Sequence, residues 1–308
     1  MKVCVTGHRG YTGRKLVPAL EKSGHEVLRT MDWLEGKDIR SSSVIKKGFD
    51  GCDTIIHLAN ISNDPSFDLK PGLAKSVNWE CFPMMIEEAA KSGVKRFIFA
   101  SSSSVYGVKK EKNVTEDLLL EPLTEYSKYK ALCEEYLIQA CPEEMEFIIV
   151  RPATICGYSP AMRLDLLVNI FTYHAWQFGK ITVHGGSQYR PNIHIDDMVD
   201  AYVALLGAPS EKVNRDIFNV GYQNLTLLET AELVKDVWGN HVDIKIEKSR
   251  DERSYHVNSD KINRILGFTC KRTIRNAIED MICAFDSGAI PDPTDEKYYR
   301  VRQMNKMA

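Results

Sequence analysis

The chain has 308 residues, 44% of them hydrophobic and 27% charged, enough apolar material for one large domain or two closely joined ones. A formal net charge of −2 gives no electrostatic case for a nucleic-acid or anionic-membrane partner, and no apolar run reaches membrane-spanning length. Eight cysteines lie scattered, with no Cys-x-x-Cys and no ligand cluster, so reduced structural thiols, no metal and a cytoplasmic setting without a signal peptide are expected.

Lys2-Val3-Cys4-Val5-Thr6 reads as a short buried strand, followed by Gly7-His8-Arg9-Gly10-Tyr11-Thr12-Gly13 and a helix through Leu16 and Leu20. Strand, G-x-x-G-x-x-G, helix places a pyrophosphate at a helix N-terminus. Gly7 permits the turn, Gly10 the close backbone approach, and Gly13 the helix–strand packing. A second strand is expected near Glu26–Thr30. An acidic residue at its end holds the ribose hydroxyls of NAD, whereas a basic cluster favours NADP. Asp32 is the acidic candidate, and Arg9 and Arg29 are the basic ones. Asp38 and Ile39 follow, as candidates to flank an adenine ring.

Cys52 to Ala59 forms the next buried strand, running into Leu58 and Ala59. A helix carrying Asn78 follows. Arg96–Ala100 is then a strand that delivers the run Ser101 to Gly107 at its C-terminal end, where an open parallel sheet binds ligands. Strands alternating with helices predict an α/β, doubly wound parallel sheet over this half. Beyond Arg151-Pro152 the pattern loosens. Arg163–Phe178 looks helical, Phe218–Gly221 is a strand before the helix Leu227–Trp238, and the stretch from Pro291 reads as a loosely ordered tail.

The stretch Glu125-Tyr126-Ser127-Lys128-Tyr129-Lys130 opens a helix free of Gly and Pro. Tyr126 and Lys130, four apart, share one face. A free tyrosine has a pKa of about 10. An ammonium beside it favours the phenolate, so the pair is expected to exchange a proton with a sugar or alcohol hydroxyl at neutral pH.

The ordered set Thr6-Gly7-x-x-Gly10-x-x-Gly13, Asp38-Ile39, His57-Leu58-Ala59, Asn78, Ser102 to Gly107, Tyr126-x-x-x-Lys130, Arg151-Pro152, Arg190-x-x-x-His194-x-x-Asp197 and Asn219-x-Gly221 resembles the extended short-chain dehydrogenase/reductase family, in particular its nucleotide-sugar epimerases, reductases and dehydratases. The resemblance implies a Rossmann domain (1–157 and 189–224) interleaved with a smaller substrate-binding cap (158–188 and 225–308). It makes Tyr126 the catalytic base, Lys130 its partner and ribose contact, and Ser102 the hydroxyl that orients the reacting oxygen. Gly7, Arg9, Gly10, Tyr11, Thr12, Gly13, Asp32, Asp38, Ile39, Leu58, Ala59, Asn78 and Pro152 are expected around the dinucleotide. Ser103, Asn169, Arg190 and Arg253 are expected around the substrate, the arginines as bidentate forks for its diphosphate. His194 is expected to pack structurally and Asp197 to cap the helix after it.

The family's 4,6-dehydratases carry an Asp-Glu pair where this chain has Ser103 and Ser104, which argues against dehydration. The expected activity is therefore 4-epimerisation of a nucleotide-linked hexose, with reduction of a 4-keto sugar as the alternative and a non-catalytic cofactor-bound regulator as a distant third. Asp32 and the lack of a basic residue after Thr30 favour NAD over NADP. The resemblance also implies a homodimer built on the Tyr126 helix and the helix around Met84–Lys91, with Met85, Leu132 and Tyr136 facing outward.

Overall fold

The computed structural model describes residues 1–62, 64–249 and 254–306. Among them, six strands form one parallel sheet in the order β2-β1-β3-β4-β5-β9. These are β1 (Lys2–Thr6), β2 (Glu26–Leu28), β3 (Thr54–His57), β4 (Arg96–Ala100), β5 (Glu146–Pro152) and β9 (Asp216–Val220). The inner strands are near-continuous apolar runs because both faces are covered. On one face Leu16, Leu20, Met198 and Tyr202 pack against Val3, Val5, Ile98 and Ile148. On the other, Ile45, Phe49, Phe82, Cys133 and Leu137 pack against Cys4, Ile55, Phe97 and Phe147. The winding reverses between β1 and β3, which opens a crevice at their C-terminal ends.

The helix Glu125–Ala140 lies on the second face. Its start is set locally. Thr124 Oγ1 accepts from the Ser127 amide at 3.3 Å, and Ser127 Oγ accepts from the Thr124 amide at 3.1 Å, a reciprocal cap worth about 1 kcal/mol. Tyr126 thus falls in the first turn, beside the end of β4.

The remaining strands form two small sheets. One has the order β10-β8-β6, from β6 (Thr154–Cys156), β8 (Tyr189–His194) and β10 (Gln223–Thr226). The other pairs β7 (Lys180–His184) with β11 (Asp243–Glu247). Around them the helices Leu167–Phe178, Leu227–Trp238 and Ile274–Asp286 share a core that includes Val168, Phe171, Ile181, Val234 and Ile278. Residues 154–156 and 189–194 belong to a small sheet, not the main one, whereas the helix Ile195–Gly207 does pack on the main sheet.

Three expectations change. The stretch from Pro291 is not a loose tail. It carries a 3-10 turn at Glu296–Tyr298 and the helix Arg300–Lys306, with Tyr298 and Met304 buried. Met85 does not face outward but is fully buried, and Tyr136 packs edge-on against Trp79 and Phe82, which leaves Leu132 exposed. Asp197 does not cap its helix. His194 does so, accepting from the Asp196 amide, while Asp197 accepts from the amides of Lys271 and Arg272.

Candidate active site

The glycine loop follows β1 and lies against the end of β3. Gly7 has φ +73°, and a Cβ there would meet the Ala59 amide nitrogen at 2.9 Å. Thr6 Oγ1 ties the two strand ends together, accepting from the Ala59 amide at 3.1 Å and meeting His57 Nδ1 at 2.7 Å. A Cβ on Gly13 would collide with the Gly7 carbonyl and with His8 Cα at 2.7 Å. Only glycine lets the helix Gly13–Lys22 start this close to the loop. Thr12 stands at its N-cap without a side-chain cap; the Arg14 and Lys15 amides donate to the Gly10 and Thr12 carbonyls at 2.9 and 3.1 Å, and the positive end of the helix faces the loop. Tyr11 turns away from the loop. Its hydroxyl donates to the Gly157 carbonyl at 2.5 Å inside the buried cluster of Met162, Tyr173 and Ile195. That leaves its backbone, not its ring, beside the crevice.

Asp32 is buried after β2 and meets Arg9 Nε at 2.7 Å. Arg9 also pairs with Glu35, and Glu35 with Lys37 at 2.7 Å. The Arg9 guanidinium is therefore shared between two carboxylates. Ile39 is buried. Asp38 is engaged by Arg40, whose amide and guanidinium both donate to it, and this holds its carboxyl below the usual range. Asn78 lies below the crevice with both ends of its amide used. Its Oδ1 accepts from the Ile61 amide at 2.8 Å and its Nδ2 donates to the Ile61 carbonyl at 2.9 Å. Its side chain shapes the loop after Leu58 and Ala59 and keeps one N–H and one lone pair beyond these two bonds.

Tyr126, Lys130 and Ser102 converge at the end of β4. Ser102 stands beside Tyr126 and works against the rise of its phenol, and its Oγ lies 2.9 Å from Ser104 Oγ. Lys130 is buried and donates to the Ala100 carbonyl at 2.6 Å, with Nζ 5.9 Å from the Tyr126 ring centre. The electrostatics differ from expectation. Burial pushes the Tyr126 phenol up to about 12, with Asp64 adding to the rise and Arg163 and Ser102 opposing it. Burial lowers Lys130 to about 8. Desolvation of the phenolate outweighs the ammonium, and the arginine that counters it is Arg163. Pro152 ends β5, next to Val220 of β9. Ser103 is buried in the 3-10 turn Ser103–Tyr106.

A wall faces this corner. Phe67 packs edge-on to Tyr126 with centres 6.4 Å apart, and stacks on Tyr129 at 5.5 Å. Arg163 donates to Ser62 Oγ at 2.8 Å and forks Asp165 at 2.9 and 3.0 Å. The Arg300 amide donates to the same Asp165 at 3.2 Å. Burial and the Arg163 charge lower Arg300 to about 10. Asn169 is fully buried, its Oδ1 accepting from Gly157 and its Nδ2 donating to Tyr11 and to the Arg163 carbonyl. It braces the wall through these three bonds. Arg190 is half-buried and donates to the Tyr189 carbonyl at 3.0 Å. Arg253 lies outside the described residues. Arg163, Ser62 and Phe67 were missed in the sequence. Only Arg163 left a signal, a charge just ahead of an apolar helix.

A model of the NAD dependent epimerase/dehydratase family matches residues 3–221. A UDP-glucose 4-epimerase of Lactobacillus helveticus is 26% identical, with 88% of this chain and 92% of that protein covered. Among solved structures, UDP-glucose 4-epimerase from Thermotoga maritima with UDP-glucose matches at TM-score 0.81 and 22% identity, over 93% of this chain and 99% of that one. UDP-glucuronic acid 4-epimerase from Bacillus cereus, in complex with UDP-glucuronic acid and NAD, matches at TM-score 0.80 and 21% identity, over 93% and 99%. The two structural likenesses establish the fold.

Proposed function

This chain belongs to the NAD-dependent epimerase/dehydratase family, and from that premise we propose that it inverts C4 of a nucleotide-linked hexose. The observation that carries the reading is the meeting of Tyr126, Ser102 and Lys130 at the end of β4, beside the β1–β3 crevice. The crevice fits a dinucleotide. The space at Gly7 and Gly13 is closed to any Cβ, and the N-terminal end of the helix Gly13–Lys22 suits a pyrophosphate. Asp32 suits ribose hydroxyls, and a 2′-phosphate would meet Asp32 and Glu35 as well as Arg9, so NAD is favoured over NADP. A bound nicotinamide supplies the hydride acceptor and donor.

In this reading Ser102 orients the sugar oxygen and Tyr126 moves its proton. Held as a phenol by burial, Tyr126 donates to a C4 keto oxygen and, as phenolate, takes the proton back from a C4 hydroxyl. Lys130 has two protons left after its bond to Ala100, enough to hold a ribose hydroxyl. Ser103 and Ser104 offer no carboxyl for elimination, so dehydration is disfavoured. The cytoplasm is the proposed setting and a homodimer through the Glu125–Ala140 helix the proposed assembly, with Leu132 at its exposed face.

The second reading is reduction of a 4-keto sugar. The observation favouring it is the same raised Tyr126 phenol, since a resting acid is the form that donates. Incubation with UDP-, GDP- and dTDP-hexoses and their 4-keto forms separates the two. Dinucleotide absorbance and sugar identity are followed together. Inversion at C4 with no net cofactor change supports the epimerase, and stoichiometric loss of NADH or NADPH on a 4-keto sugar supports the reductase.

A further inference from the structure

Three consecutive residues at the end of β4 each face a different turn of the helix Glu125–Ala140. Ser102 faces Tyr126, the Ala100 carbonyl accepts from Lys130 at 2.6 Å, and Ser101 Oγ donates to Glu134 Oε1. Positions 126, 130 and 134 lie one turn apart on one helix face. The first two pairs belong to the site already described. The third does not touch it, yet Glu134 is 1% exposed.

Glu134 is the hub of a buried polar network. Arg151 of β5 donates Nε to both of its oxygens at 3.1 Å and a terminal nitrogen at 2.6 Å. Arg151 also donates to the Tyr106 hydroxyl at 2.7 Å and to the Glu116 carbonyl at 3.0 Å. Tyr106 closes the 3-10 turn that begins just after Ser102, and its hydroxyl donates to Asn219 of β9 at 2.7 Å. Burying an ion pair is costly, and apolar residues would hold a helix to a sheet at least as well. What a satisfied network adds is one fixed register. That register matters here because the last main-chain bond at this strand end runs from the Ser101 amide to the Val150 carbonyl, at 2.8 Å. Beyond it, the Ser102 carbonyl accepts only from the Val105 amide of its own turn, at 3.2 Å, so the hold of Ser102 on the helix rests on side chains.

We infer that Glu134 is a positioning residue: acting through Ser101, it fixes where the end of β4 meets the helix and so holds Ser102 against Tyr126. The inference rests on the reading of Tyr126 as the proton-transfer group. Because Glu134→Gln strands a buried arginine and is at risk of misfolding, Ser101→Ala is the primary variant. It leaves the Glu134–Arg151 pair whole and removes only the link. Ser101→Thr restores a hydroxyl.

The test uses the full chain with UDP-glucose as probe, measuring kcat, KM, the thermal midpoint and the 13Cζ chemical shift of Tyr126, assigned with Tyr126→Phe. For Ser101→Ala we expect a midpoint within about 4 °C of wild type and KM within about twofold. We expect kcat about 10- to 100-fold lower and a displaced Tyr126 resonance, with both restored by Ser101→Thr. A Tyr126 resonance and kcat that match wild type in Ser101→Ala overturn the inference. If Tyr126→Phe turns over like wild type, or UDP-glucose is not converted, the proton-transfer or substrate reading fails instead. The resonance then decides the positioning role alone: displaced supports it, unmoved overturns it.

Discussion

The two sides of the site are built from different materials. The crevice side is made of backbone and short-range spacing. Gly7, Gly10 and Gly13 sit in one loop, and Tyr126 and Lys130 on one helical turn. The wall side is made of groups from distant segments, with the Arg163 side chain reaching Ser62 and the Arg300 amide reaching Asp165 across 101 and 135 residues of chain. The crevice is a geometry that any dinucleotide can use. The wall brings Phe67 and the Arg163 charge to the side that the Tyr126 phenol faces.

Replacing Tyr126 with Phe tests the crevice side and carries the largest expected effect. It keeps the helix face and removes only the titrating hydroxyl. A loss of about 10²- to 10⁴-fold in kcat is expected, with dinucleotide affinity by calorimetry nearly unchanged. Turnover near wild type would remove Tyr126 from the chemistry.

Arg163→Ala tests the wall. Burial opposes ionisation of Asp165, but Arg163 and the Arg300 amide outweigh it and hold its carboxyl below the usual range. Removing the arginine leaves that carboxylate buried and unforked, at a cost of about 3–5 kcal/mol in urea unfolding. The Tyr126 phenol should rise further, because the cation opposing its rise is gone. If stability and activity both stay put, the wall is only a surface.

Gly13→Ala returns to the crevice by a route that leaves every charge in place. The added Cβ meets backbone at 2.7 Å, so a destabilisation of about 1–3 kcal/mol is expected. Dinucleotide affinity should weaken while the pairing of Arg163 with Asp165 is untouched. Unchanged affinity by titration would show that the loop does not hold the cofactor.

The smallest effect is one of pH. His57, at the end of β3, is lowered to about 3, first by burial and then by the Lys130 charge. Its folded pKa lies below its unfolded value, so the unfolded chain binds more protons between about 6.5 and 3. The stability held by the neutral ring is complete above about pH 6.5. It should then fall by about 1.4 kcal/mol per unit as pH drops toward 3. Urea midpoints at pH 7 and pH 5 measure this. His57→Gln should flatten the slope.

The same contrast explains what the sequence made legible. The parallel sheet, the glycine loop and the Tyr126 turn follow from periods and spacings that a linear reading contains. Asn78 and Asn169 bond to Ile61 and to Gly157, Tyr11 and Arg163. Nothing in one dimension announces such partners. Spacing reveals a neighbouring charge but not the desolvation that opposes it. The helix Arg300–Lys306 went unseen because its burial depends on residues more than a hundred positions away.

The route of the chain between the sheets has an evolutionary consequence. It leaves the main sheet after β5, builds β6 through β8, returns for β9, and departs again through β10 and β11. The substrate-facing layer is therefore encoded in two separate stretches of gene. No single recombination event can exchange it for a foreign one while keeping β9 in place. Exchange of that layer needs two coordinated events, whereas a point substitution or a short loop insertion needs one.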